Sequence, residues 1–218
     1  MSDCTEQSFL KDVAKHEMIV LREEGVYRHV RFSIPGDSCY RFDIITWPGY
    51  LCYTGDMGTY VFRRLEDMFQ FFRTDRDYGS KAHPERQLHI NKQYWAEKLI
   101  AIDSNGRRGS SATEFSPSLF RQIVKEQLVE WFRERELNKA DRRELRDAIQ
   151  QDVLDVADDG EALAYDAANE FRISLGGRVY AFNDFWDNNL SEYTYHFTWC
   201  CYALAWGIQQ YDNAKGEQ

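Results

Sequence analysis

Residues Asn183 to Tyr211, NDFWDNNLSEYTYHFTWCCYALAWGIQQY, constrain the fold more than any other stretch of the chain. Trp186, Leu190, Tyr193, Phe197, Cys201, Leu204 and Ile208 recur at spacings of three and four, the pattern of one helix face turned to a core. Tyr195, Trp199, Tyr202 and Trp206 recur at four, three and four on a neighbouring face. The spacing predicts one helix over 183–211, apolar most of the way round and so enclosed on most sides. Either the domain wraps it, or the second stripe meets another chain. Tyr195, Trp199, Tyr202 and Trp206 are therefore the expected oligomer or partner interface, and a homodimer is the expected assembly.

The same segment is the chain's one candidate for a membrane span. Its densest apolar run, Phe197 to Ile208, is twelve residues, well short of the roughly 20 that cross a bilayer. No membrane association is expected. The first sixteen residues lack a basic start followed by an apolar run, so a cytoplasmic location is expected, with 1–16 a flexible segment. Cys4, Cys39, Cys52, Cys200 and Cys201 make an odd count without a CxxC pair, which argues for thiols in a reducing compartment. Vicinal Cys200 and Cys201 fall mid-helix among aromatics, where cysteine acts as a small hydrophobe.

Residues 17–62 read as antiparallel strands. EMIVLR and VYRHVRFSI flank a turn, with Val26, Arg28, Val30 and Phe32 alternating with Tyr27, His29 and Arg31. Pro35-Gly36-Asp37-Ser38 supplies the next turn. CYRFDIITW, YLCYT and TYVF follow, the last two joined at Gly55-Asp56-Met57-Gly58. Residues 63–171 read as helical, starting with LEDMFQFFR. A polar loop from Thr74 to Leu88 precedes NKQYWAEKLIAID, and Ser116-Pro117 opens a helix to about Leu137. Asp141 is the expected cap of the next, with Leu145, Ala148, Ile149 and Val153 inward. ALAYDAANEF is a further helix, and 172–182 a hairpin with Gly176-Gly177 at its tip. Strands first and helices after them give an α+β fold, a β-meander packed on a helical layer, in a single domain over 17–212.

Chemistry-bearing motifs are sparse. His83 and His89 lie six apart around Glu85, without the short paired spacing of a zinc site, so no metal is expected. Glu192 and His196, one turn apart on the expected helix, are the catalytic pair an enzyme reading would use, a small hydrolase or nuclease with His83 or His89 beside them. The plainer reading is a polar contact. GDMG lacks the length and Lys-Ser/Thr ending of a phosphate loop, and ADDGEA lacks calcium-loop ligand spacing. SNGRRGSS holds Arg107 and Arg108 among small residues, as a surface loop or a phosphate contact. No cofactor is expected.

Charge is more telling. Of a net −9, the stretch from Asp152 to Glu192 contributes ten acids against Arg172 and Arg178. Such a face repels nucleic acid and attracts basic surfaces, and it is able to imitate a phosphate backbone. Asp155, Asp158, Asp159 and Glu161 are the expected partner-binding residues, facing a host protein or protein–nucleic-acid complex. Direct nucleic-acid binding is not expected of a chain this acidic.

The run RFDIITWPGYLCYTGDMGTYVFRRLEDMFQFF, with FWDNNLSEYTYHFTWCCYALAWGIQQYD, resembles a family of proteins from tailed bacteriophages and prophages. The likeness spans most of 16–212 and brings no catalytic residues with it. It implies a phage accessory product inside a bacterial host cell, such as an inhibitor of a defence or nucleic-acid-handling complex. A replication or assembly accessory is the alternative.

Overall fold

In the computed structural model the described residues are 3–103, 111–134 and 137–216. The Arg107–Arg108 loop lies outside them. In chain order the elements are α1 (Glu6–Asp12), β1 (Glu17–Glu24), β2 (Tyr27–Ser33), β3 (Phe42–Trp47), β4 (Tyr50–Gly55), β5 (Gly58–Arg63), α2 (Met68–Ala82), α3 (Lys92–Ala96) and β6 (Leu99–Ile102). Then come β7 (Thr113–Phe115), α4 (Pro117–Glu134), α5 (Lys139–Ile149), a π turn (Gln150–Leu154), α6 (Glu161–Glu170), β8 (Arg172–Leu175) and β9 (Arg178–Ala181). A 3₁₀ turn (Phe185–Asp187), β10 (Ser191–Tyr193) and α7 (Tyr195–Lys215) complete the chain. The fold is α+β. The single domain expected over 17–212 divides into two compact units, one of 1–113 with 193–218 and one of 114–192.

In the first unit β1 to β6 form one sheet in sequential order, and every neighbour pair is antiparallel. Alternation assigns its faces. Val30, Ile44, Tyr53 and Tyr60 stand in register across four strands, beside Phe32 and Phe42, and all are buried. Such a face must be covered. The cover is α7, whose Phe197, Cys200, Cys201, Leu204 and Ile208 are buried against it. At Gly207 there is no room for a side chain: an added Cβ would lie 2.8 Å from Ile44 Cδ1 and 3.0 Å from Phe32 Cε2.

Helix α2 flanks α7. Asp67 caps it, accepting from Phe69 N at 2.9 Å while Arg28 donates to both carboxylate oxygens at 2.8 and 2.9 Å. The Phe69 and Tyr211 rings meet edge to face at 5.2 Å. Asp212, 2% exposed, takes hydrogen bonds from both Arg73 and Arg76 of α2. A buried carboxylate is tolerable only with such partners.

Four expectations change here. The segment 1–16 is not loose: α1 has a reciprocal capping box of Thr5 and Ser8, and Phe9 and Val13 are buried. NKQYWAEKLIAID splits into the single turn α3 and strand β6, because Trp95 locks under Phe72 (4.7 Å) and Leu99–Ile102 completes the sheet beside β5. Helix α2 runs on to Ala82, through residues expected to form a loop. The helix expected over 183–211 begins only at Tyr195, with Thr194 as its cap. Residues 185–187 are a 3₁₀ turn and 191–193 a strand, so Trp186 is 61% exposed instead of core.

The second unit packs Phe120, Val124, Leu128 and Trp131 of α4 against Leu145 and Ile149 of α5, with Val153, Ala164, Ala168, Tyr180 and Phe185. Ser116 Oγ accepts from Leu119 N at 3.1 Å, the start expected at Ser116-Pro117. Helix α5 is capped by Asn138, which accepts from Ala140 and Asp141 N, so Asp141 sits in the first turn and is not the cap. The β8–β9 hairpin turns at Gly176 and Gly177, φ 58° and 74°, a two-residue turn that requires positive φ twice. Among the described residues no helix is long and apolar enough to cross a membrane.

Candidate interaction surfaces

The four acids singled out by charge lie where α5, after its π turn, reverses into α6. Asp155, Asp158, Asp159 and Glu161 are all exposed. Gly160, at φ 120°, opens the reversal. Asp155 accepts from Gln150 Nε2 at 2.6 Å, and Glu161 occupies the first turn of α6, where the helix dipole favours a carboxylate. Asp158 forms a two-point pair with Arg121 of α4, which holds its carboxyl below the usual range. The surroundings amplify the charge. Residues 114–192 hold eighteen acids and ten bases, a net −8, so the first unit supplies only one of the chain's nine net negative charges.

The second aromatic stripe is spoken for within the chain. Trp199 is fully buried; its indole Nε1 donates to Asp12 at 3.0 Å, and its ring meets Phe9 edge-on at 4.9 Å. Tyr202 stacks on Phe9 at 5.8 Å, and Trp206 packs edge-on to Phe32 at 5.2 Å. Tyr195 is half-buried against the same core. The stripe expected to meet another chain is the seat of α1, within the segment expected to be flexible.

The enzyme residues do not gather. Glu192 lies on β10, not on the helix of His196, and both side chains are exposed without a hydrogen bond between them. His83 terminates α2 at the surface, 3.4 Å from Glu85. His89 is buried, its ring filling the space a Cβ at Gly79 would need, and burial lowers its pKa. Cys200 and Cys201 are buried core residues whose thiols burial pushes up, away from nucleophilic character. Among the described residues no three His, Cys, Asp or Glu side chains are grouped to hold a metal ion.

One surface was missed. The outer face of the six-stranded sheet carries a hydrogen-bonded polar triad and an aromatic stack. Arg31 and Asp43 are cross-strand partners, with His29 two residues along. Arg31 Nε and Nη2 donate to Asp43 at 2.9 and 2.8 Å, and His29 Nε2 lies 2.7 Å from Asp43 Oδ2. Burial would push the Asp43 carboxyl up; Arg31 and His29 outweigh it and hold the pKa low. A carboxylate so occupied positions Arg31 and His29 and is a poor proton acceptor. Across the next turn Trp47 and Tyr50 stack at 5.2 Å, with the Arg63 guanidinium 5.3 Å from the Tyr50 centroid. Between them Ile45, Cys52 and Val61 stand in register and half-buried. The signal was present in the alternation of VYRHVRF and RFDIITW. Pairing those strands about the Pro35 turn puts Arg31 opposite Asp43.

No protein-family model, curated protein or solved structure matches the chain.

Proposed function

We propose that the chain is an interaction protein of a tailed phage or prophage, acting in the host cytoplasm. It occludes a nucleic-acid-handling or defence complex through the acidic surface of the second unit, with no chemical step. One observation carries the reading: Asp155, Asp158, Asp159 and Glu161 are all exposed on one reversal, within a unit of net −8. Carboxylates so concentrated present to a cationic groove the field of a phosphate backbone. The sheet's outer face, with the Arg31–Asp43 pair, Arg63 and the Trp47–Tyr50 stack, is a second candidate surface.

The test is capture of bacterial proteins on the immobilised chain, with a variant carrying serine at the four positions alongside. A complex retained by the wild type, released by added single-stranded DNA or heparin, and not retained by the variant supports occlusion by mimicry. Equal retention by the variant removes the acidic surface from the account. Because Asp158 pairs with Arg121, thermal unfolding of the variant is measured first. A replication or assembly accessory would give a retained complex that polyanions do not release.

A further inference from the structure

The first strand leaves an edge open. Among the described residues β1 is the end of the sheet, paired only with β2, and Ile19, Val20 and Leu21 are 48%, 38% and 48% exposed in succession. An apolar edge strand with unpaired backbone groups is a template for another strand. We infer that this edge is the contact between two copies of the chain, whose β1 strands pair antiparallel across a two-fold axis at Ile19 and join two sheets into one.

Register argues for that occupant. A two-fold axis perpendicular to a sheet pairs residues of the same face and sets one residue opposite itself. Against β2, Glu17 and Ile19 share a face with Arg31, and Met18 and Val20 share the inner face with Val30 and Phe32. The register then slips between Val20 and Arg22, so Leu21 and Arg22 together oppose one residue and Arg22 returns to the outer face, opposite His29. With Ile19 on the axis, Met18 faces Val20, and Glu17 faces the Leu21–Arg22 bulge, each twice. Apolar meets apolar, and carboxylate meets guanidinium.

The neighbouring choices fail. An axis at Val20 sets Glu17 against Glu24 and Met18 against Glu23. Like charges directly opposite destabilise a pair. An axis at Met18 pairs only Glu17 to Ile19, because the strand begins at Glu17. Arg22 already donates to Glu24 at 2.8 Å, but a guanidinium has five donors and can serve Glu17 of the second copy as well. Glu23 is held by Tyr211 and Lys215 and does not enter the contact. The aromatic stripe of α7, occupied by α1, plays no part in the contact. Asp155, Asp158, Asp159 and Glu161 are not among the residues the inference uses, so it and the proposed function are tested by different variants.

Sedimentation of the full chain across the micromolar range tests it, with Ile19→Lys, Glu17→Arg and the double exchange Glu17→Arg with Arg22→Glu. The wild type is expected to be a dimer. Ile19→Lys, which opposes two ammonium groups on the axis, weakens it at least about tenfold. Glu17→Arg weakens it too, and the double exchange restores it. Ile19→Cys, in a Cys39→Ser background that removes the exposed native thiol, forms an intermolecular disulfide under mild oxidation. Paired Cα atoms about 4.5–5.5 Å apart suit that bond. A wild type monomeric throughout overturns the inference. So does a dimer indifferent to Ile19→Lys and without the cross-link. A circular dichroism spectrum unchanged from wild type shows that each variant is folded.

Discussion

Phe9 meets Trp199 edge-on with ring centroids 4.9 Å apart, and this one contact fixes the fate of the second aromatic stripe of α7. Phe9 also touches Tyr202 and Trp206, so one ring from α1 covers three of the four residues that spacing alone assigned to a partner. Phe9→Ala is expected to cost about 3–5 kcal/mol, the usual cost of deleting a fully buried phenyl ring. Urea unfolding checks it. A cost under ~1 kcal/mol would show that α1 is not a working part of the core.

Gly207 of α7 faces the sheet closely, and the atoms an added Cβ would meet are the terminal methyl of Ile44 and the ring of Phe32. Gly207→Ala gains helix propensity worth about 1 kcal/mol but must push those side chains aside. Overpacking typically costs about 1–3 kcal/mol, and a net loss is expected. Gly207→Val should lose more. The order of the three melting temperatures, wild type above alanine above valine, is the readout.

Acid should destabilise the protein through the sheet's outer face. Asp43 has a lowered folded pKa, so its contribution is present above the unfolded carboxylate value, about 3.9, and is lost as pH falls through the lower folded value. Asp75 runs the other way. Burial raises its pKa against the hydrogen bond from Trp95 Nε1, so its contribution is present at low pH and lost as pH rises through the folded value. Asp43→Asn is therefore expected to lower the melting temperature at neutral pH and flatten its fall below about pH 4. Asp75→Asn keeps an acceptor for Trp95 and should raise the melting temperature at neutral pH, with no gain in acid. Melting curves at several pH values decide both.

Trp186 should behave as a surface residue. It is 61% exposed on the 3₁₀ turn, whereas Trp95 and Trp199 are fully buried. Trp186→Phe is expected to remove the most acrylamide-quenchable part of the fluorescence and to change stability by no more than about 0.5 kcal/mol. Unchanged quenching would mean that the indole is covered.

The meander was legible because strand signals are local: period-two alternation marked the strands, and Pro35-Gly36 and Gly55–Gly58 marked two of the turns. The first turn falls at Gly25 and another at Gly49, where sequence suggested only a break or bulge. The body of α7 was legible for the same reason. Its start was not, since Trp186, Leu190 and Tyr193 keep helical spacing while the chain follows another path. Asp184 adopts φ 50°, which aims Phe185 into the second unit's core and Trp186 out of it. Spacing is indifferent to such a turn. Helix α1 was hidden by its brevity, though Thr5 and Ser8 spelled its cap. β6 was hidden because Leu99–Ile102 is too short to show alternation, and only β5 beside it makes it a strand. Among the candidate surfaces, exposure of the four acids followed from charge alone. The His29–Arg31–Asp43 triad needed a strand register that sequence suggests but does not state.

The division of the chain sets an order of birth. The sheet of the first unit is complete when Ile102 has been made, but the helix that covers it starts at Tyr195, after the whole of 114–192. On a ribosome the second unit can close on itself while Val30, Phe32, Ile44 and Tyr53 still lack their cover. At about 5–20 residues per second, the interval lasts on the order of several seconds. Through that time the nascent sheet offers its greasiest face to chaperones and to other chains. Messages cut short within α7 would release the whole of 114–192 attached to a sheet unable to finish folding.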